Sequence, residues 1–173
     1  MRELADAERI RGFMRALGRA ADAEGACYLS GGATAVLVGW RPTTIDVDIR
    51  LDPETETLLR AIQSLKEELR LNVELASPAD FIPLAPGWED RSPYVAREER
   101  LTFYHFDPIA QALSKLERGH AQDLADVHEL IQHGLVEPER ALATFEEIEP
   151  ELYRFPAVDR RAFRASVEET FRR

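Results

Sequence analysis

Two short features of the chain carry chemistry by residue type and spacing. Asp46 and Asp48 flank one valine, and thirteen residues separate them from Gly31-Gly32. Residues i and i+2 of a strand project to the same face, with Cα atoms roughly 7 Å apart. Two carboxylates so placed repel, and need a cation or an arginine to stay ionised. A hard cation such as Mg2+ takes oxygen ligands and shares them with substrate phosphates. Two such ions about 3.5–4 Å apart suit in-line phosphoryl or nucleotidyl transfer. A strand that enters a helix through paired glycines leaves backbone N–H groups open to a phosphate. The plainer alternatives are an ordinary turn for the glycines and a solvent-facing acidic strand for the aspartates, with Arg41 or Arg50 as structural partners.

The elements that position these residues follow from periodicity. Leu4, Ile10, Phe13, Met14 and Leu17 predict an amphipathic helix over 2–24. Residues 26–30 predict a strand, and 33–40 a short helix ended by Arg41-Pro42. Residues 44–51 alternate, with Ile45, Val47, Ile49 and Leu51 on one side and Thr44, Asp46, Asp48 and Arg50 on the other. Asp52-Pro53 reads as a cap and first-turn proline for a helix to about Arg70, and 71–75 as a strand. Two short strands are expected within 94–106. Asp107-Pro108 starts a helix to about Glu117, and helices at 120–133 and from Pro138 on follow. The fold class is α/β (α+β): an α/β core over 1–106 and a helical tail over 107–173, packed as a single structural unit.

Composition narrows the function classes. The 173 residues fit one domain of the usual size, about 100–200 residues. A hydrophobic share of 45% with 31% charged residues argues against disorder. The lone Cys27 excludes a disulfide framework and a cysteine-based zinc site. No apolar run approaches the roughly 20 residues of a membrane span, and the charged start is unlike a signal peptide, so a cytoplasmic protein without a membrane partner is expected. With 22 basic and 32 acidic residues the net charge is -10, which opposes unspecific binding to nucleic acid. Only Lys66 and Lys115 are lysines, so a well-placed lysine stands out.

Taken together, Leu29-Ser30-Gly31-Gly32 and Asp46-Val47-Asp48-Ile49 resemble the signature of the polymerase-β-like nucleotidyltransferase superfamily, with a spacer at the long end of its range. Arg41-Pro42-Thr43-Thr44 resembles small prokaryotic members, among them the AbiEii-like toxin enzymes. So does Lys115-Leu116-Glu117-Arg118 followed by Asp123-Leu124-Ala125-Asp126. The resemblance runs from about Tyr28 to Val127. It implies a nucleotidyltransferase-like mixed sheet flanked by helices. It also implies that Ser30, Gly31 and Gly32 contact the triphosphate of an NTP, and that Asp46 and Asp48 bind Mg2+, or Mn2+ in its place. Many such proteins use a third carboxylate on a neighbouring strand, for which Glu74 is the acidic residue in place, as general base or as part of the metal shell. Agreement of strand registers decides whether Glu74 faces the aspartates. Lys115 resembles the lysine that toxin-type members use on nucleotide phosphates, and Arg118 lies one turn along the same helix face. The alternative for Lys115, Arg118, Asp123 and Asp126 is an inter-helix salt-bridge cluster.

Other candidates are weaker. The four histidines form no convincing metal set, Trp88 suits a loop anchor, and Arg160, Arg161, Arg164, Arg172 and Arg173 form a basic face diluted by Glu168 and Glu169. The expected activity is Mg2+-dependent transfer of an NMP from an NTP to a hydroxyl on RNA, protein or a small molecule, with a toxin role and a cognate antitoxin as a further implication. The rivals are a non-catalytic member that binds a nucleotide or a protein, and a nucleotide-sugar glycosyltransferase, which the short chain and early glycine pair disfavour.

Overall fold

The computed structural model describes residues 3–172, and the chain divides into two compact units. The first holds the described residues up to Ser77 together with Ser92–Phe106. Its elements are α1 (Ala7–Ala20), β1 (Gly25–Ser30), α2 (Gly32–Val38), β2 (Asp46–Asp52), α3 (Glu56–Glu68), β3 (Asn72–Leu75), β4 (Tyr94–Glu98) and β5 (Leu101–His105). The strands form one mixed sheet in the order β3-β2-β1-β5-β4. The β1–β2 and β4–β5 pairs are antiparallel, and the β1–β5 and β2–β3 pairs are parallel.

One face of this sheet is apolar. Cys27, Leu29, Val47, Ile49, Val73, Leu101 and Phe103 are buried in one cluster with Ile10, Phe13, Met14 and Leu17 of α1 and Leu58, Ile62 and Leu65 of α3. Burying each large aliphatic or aromatic side chain contributes about 1.5–3 kcal/mol. Helix α1 starts where the Asp6 side chain accepts a hydrogen bond from Arg9 N at 2.9 Å. It runs close to β4: a Cβ on Gly18 would lie 2.4 Å from the carbonyl oxygen of Glu98, so only glycine fits there.

Three expectations need correction. The first helix spans Ala7–Ala20 rather than 2–24 (residue 2 lies outside the described residues). Ala5 instead exchanges backbone hydrogen bonds with Thr44. Ile45 is 60% exposed and does not join Val47 and Ile49, because β2 begins only at Asp46. Asp52 does not cap α3. It is still laddered to Ala26, and the cap is Thr55, whose hydroxyl accepts from Leu58 N at 3.2 Å.

The second unit joins Pro78–Arg91 to the described residues from Asp107 on. After a 3-10 turn at Pro78–Asp80 come α4 (Pro108–Arg118), α5 (Ala121–Gln132), α6 (Pro138–Ile148), a 3-10 stretch at Glu149–Arg154 and α7 (Arg160–Phe171). Asp107 caps α4 as its spacing predicts, accepting from Ile109 N at 3.0 Å. It also receives Arg91 Nε at 3.0 Å, and Arg91 donates to the carbonyl of Pro86. This brace places segment 78–91 with the helices, and Trp88 is buried in it. Burial raises the Asp107 carboxyl above the ordinary range despite that guanidinium. Arg164 of α7 pairs with Glu149 and Glu168, and Arg172, just past the end of α7, lies 3.8 Å from Glu168, so these arginines of the basic face are matched by carboxylates. Arg173 lies outside the described residues.

His105 supplies a pH test of the first unit. Its Nδ1 lies 3.0 Å from the Thr34 hydroxyl, and burial, then the charge of Arg11, lowers its pKa from 6.5 to about 4. The folded protein therefore favours the neutral ring. The stability this contributes is fully present above about pH 6.5 and is lost as pH falls toward 4, in total about 3 kcal/mol. Urea midpoints recorded from pH 7 to pH 4 should fall more steeply in the native protein than in His105→Asn. Parallel pH profiles would contradict this origin.

Candidate active site

The face of the sheet opposite the apolar cluster carries the polar residues of interest. The β1–β2 register sets Ser30 beside Asp48, and the β2–β3 register sets Asn72 beside Asp46 and Glu74 beside Asp48. Directly paired residues of adjacent strands share a face. Ser30, Asp46, Asp48, Asn72 and Glu74 therefore stand together, on strands about 4.8 Å apart. Glu74 meets the condition of register that the third carboxylate requires.

Asn72 is the site residue that sequence reasoning missed. It is 3% exposed, and its Nδ2 donates to Oδ1 of Asp46 and to Oε1 of Glu74, the latter at 3.1 Å. Its one sequence signal is the i, i+2 spacing to Glu74, which becomes informative only once the strand register is known.

The glycine pair is shaped by close approaches. Gly31 has φ 63° and ψ -129°, a conformation open to glycine and costly for any L side chain. A Cβ there would also lie 3.2 Å from Oδ2 of Asp48. A Cβ on Gly32 would lie 2.0 Å from Oγ1 and 2.7 Å from Cβ of Thr44. Thr44 is buried, and its hydroxyl donates to the Asp46 carbonyl at 3.1 Å. The missing side chains thus let the β1–α2 turn sit against the segment that leads into the aspartates. Below the turn, the Thr34 hydroxyl donates to the Leu29 carbonyl at 3.3 Å.

The remaining predicted residues lie in the second unit and form a cluster of their own. Lys115 is 7% exposed, with Nζ 3.0 Å from Asp126 Oδ2 and 3.8 Å from Asp123 Oδ1. Arg118 pairs with Asp123, and Gln122 donates to Asp126 at 3.3 Å. This is the inter-helix salt-bridge arrangement between α4 and α5.

Among the described residues, no group of three or more histidine, cysteine, aspartate or glutamate side chains is arranged to hold a metal ion. The donor set nevertheless fits Mg2+: Asp46 and Asp48 offer hard carboxylate oxygens, and Mg2+ commonly takes one or two carboxylates and fills its shell with water and substrate phosphate. Also among the described residues, no helix is long and apolar enough to cross a membrane.

A five-stranded mixed sheet flanked by helices, with a glycine turn beside paired aspartates, defines a nucleotidyltransferase-like fold. A family model described as "nucleotidyltransferase of unknown function (DUF6036)" matches residues 8–151, and the chain belongs to that family. The match covers both units and ends before α7. No curated protein and no solved structure matches the chain.

The close approach at Gly32 gives a test of the turn. Gly32→Ala should lower stability by about 1–3 kcal/mol, the usual cost of forcing atoms into filled space, measured as a shift in urea midpoint. A native midpoint for Gly32→Ala would contradict the contact with Thr44.

Proposed function

We propose that the protein is a Mg2+-dependent nucleotidyltransferase that moves an NMP from an NTP to a hydroxyl acceptor. The observation that carries this reading is the shared face of Asp46, Asp48 and Glu74 beside the Gly31-Gly32 turn. Membership of a family described as nucleotidyltransferases supports it.

In the proposed reaction the acceptor oxygen forms a bond to the α-phosphorus, the bond from that phosphorus to the bridging oxygen breaks, and pyrophosphate leaves with the electron pair. The hydroxyl proton passes to a base. Asp46 and Asp48 would hold the ion. When bound, Mg2+ supplies charge compensation for the phosphates and makes the acceptor hydroxyl easier to deprotonate. Ser30 and the exposed backbone of Gly31 and Gly32 would bind the triphosphate, which no side chain of the glycines obstructs. Glu74 would serve as the third carboxylate, as base or as part of the metal shell. Lys115 and Arg118 enter the proposal as phosphate-binding cations. Each is paired with a carboxylate, so a phosphate would compete with Asp126 or Asp123 for them.

The finer role rests on the resemblance of Arg41–Thr44 and Lys115–Asp126 to AbiEii-like enzymes: the toxin of a toxin–antitoxin pair, acting in the cytoplasm on RNA, protein or a small molecule. The net charge of -10 weighs against an RNA acceptor unless a local arginine surface holds it. A second reading, a non-catalytic member that binds a nucleotide or a partner, draws on the lack of a three-group metal cluster among the described residues.

Incubation with each labelled NTP, Mg2+ or Mn2+, and cellular RNA or protein distinguishes the two. Label transfer is expected, and should fall by about 100-fold or more in Asp46→Asn and Asp48→Asn, above the roughly 10–100-fold cost of losing a residue that merely orients a metal ligand. NTP binding without transfer to any acceptor would favour the second reading.

A further inference from the structure

Asn72 sits where it settles how the carboxylates divide their work. Three acidic side chains share one face, and Glu74 stands directly across from Asp48. Like charges opposite each other on adjacent strands are unfavourable, so a donor or a cation must stand among them. One donor on this face is the amide of Asn72, buried at 3% exposure and bonded to Asp46 and to Glu74 at once. The orientation of the amide follows from the same contacts. Turned over, its carbonyl oxygen would face two carboxylate oxygens with no proton between them.

We propose that Asn72 is a positioning residue that ties Glu74 to Asp46 and keeps Glu74 outside the coordination shell of the bound ion, so that Asp46 and Asp48 are its side-chain ligands. This rests on the metal-dependent reading above. An N–H donor cannot ligate a cation. An ion bridging Oδ1 of Asp46 and Oε1 of Glu74 would have to compete with Nδ2 for both oxygens. This bond leaves Oδ2 of Asp46, and Asp48 stands beside the Gly31 turn, where a Cβ would come within 3.2 Å of its Oδ2. Phosphate oxygens and water would complete the shell there. Glu74 is exposed at the sheet edge and is held by its bond to Asn72 rather than by packing.

Binding of Mn2+ to the full chain, followed by the EPR signal of the free ion without nucleotide or acceptor, tests this. Asp46→Asn and Asp48→Asn should each weaken Mn2+ binding by about tenfold or more, and Glu74→Gln should leave it unchanged. In an Asn72→Ala background Glu74 is released, so adding Glu74→Gln there should now weaken binding, again by about tenfold. The proposal is overturned if Glu74→Gln in the otherwise native chain costs as much as Asp48→Asn. It is also overturned if Glu74→Gln has no effect in either background. If Asn72→Ala fails to fold by circular dichroism, the single variant Glu74→Gln decides alone. Mn2+ binding that ignores both Asp46→Asn and Asp48→Asn would instead remove the metal-dependent reading itself, a separate outcome.

Discussion

Like charges on one face of a sheet are the constraint around which the first unit is organised. A strand has a period of two, so Val47 and Ile49 can enter the apolar cluster only if Asp46 and Asp48 point the other way. Parallel pairing with β3 then sets Glu74 across from Asp48. No choice of side-chain rotamer removes three carboxylates from that face, so their repulsion must be met locally. The Asn72 amide meets part of it by donating to two of them. In the metal-dependent reading proposed above, a bound cation would invert the local electrostatic logic of this face.

The second constraint is room. Gly31 and Gly32 serve the site through what they lack. One adopts a backbone conformation that L side chains avoid, beside Asp48. The other admits the hydroxyl of Thr44 into the volume a methyl group would need. Thr44 links this turn to the start of β2, since its hydroxyl reaches the Asp46 carbonyl while its backbone pairs with Ala5. The position of the first aspartate thus depends on a short chain of contacts that begins at the glycines. It depends also on the N-terminal segment before α1.

Much of this was legible because it is local. The alternation of Val47 and Ile49 with Asp46 and Asp48 fixes a face, and Asp107-Pro108 fixes a helix start. What escaped depends on pairing between distant segments. The register of β3 against β2 decides the place of Glu74, and the sequence of either strand alone is compatible with other registers. Asn72 acquires its two acceptors only through that register. Asp52-Pro53 has the composition of a helix start, yet Asp52 remains in the ladder with Ala26, and tertiary pairing overrides the local signal. The assignment of Pro78–Arg91 to the helical unit likewise rests on the long-range bond of Arg91 to Asp107.

Lys115 is bound into the fold by its neighbours. Its ammonium is nearly buried against Asp126 and Asp123, and Arg118 shares the second of these. Removing one member of a buried ion cluster leaves charge without compensation and typically costs about 3–5 kcal/mol. A lysine that binds phosphate and a lysine that only joins α4 to α5 would therefore both fail when replaced, one in activity and the other in folding. Loss of function at this position carries no information about mechanism unless the fold is shown to survive. Asp46, Asp48 and Glu74 differ in this respect: they are half-buried or exposed on the open face and contribute nothing to the apolar cluster. Amide replacements there change charge with little change of volume. For that reason the carboxylates, rather than the buried lysine, are the residues on which an enzymatic reading of this fold stands or falls.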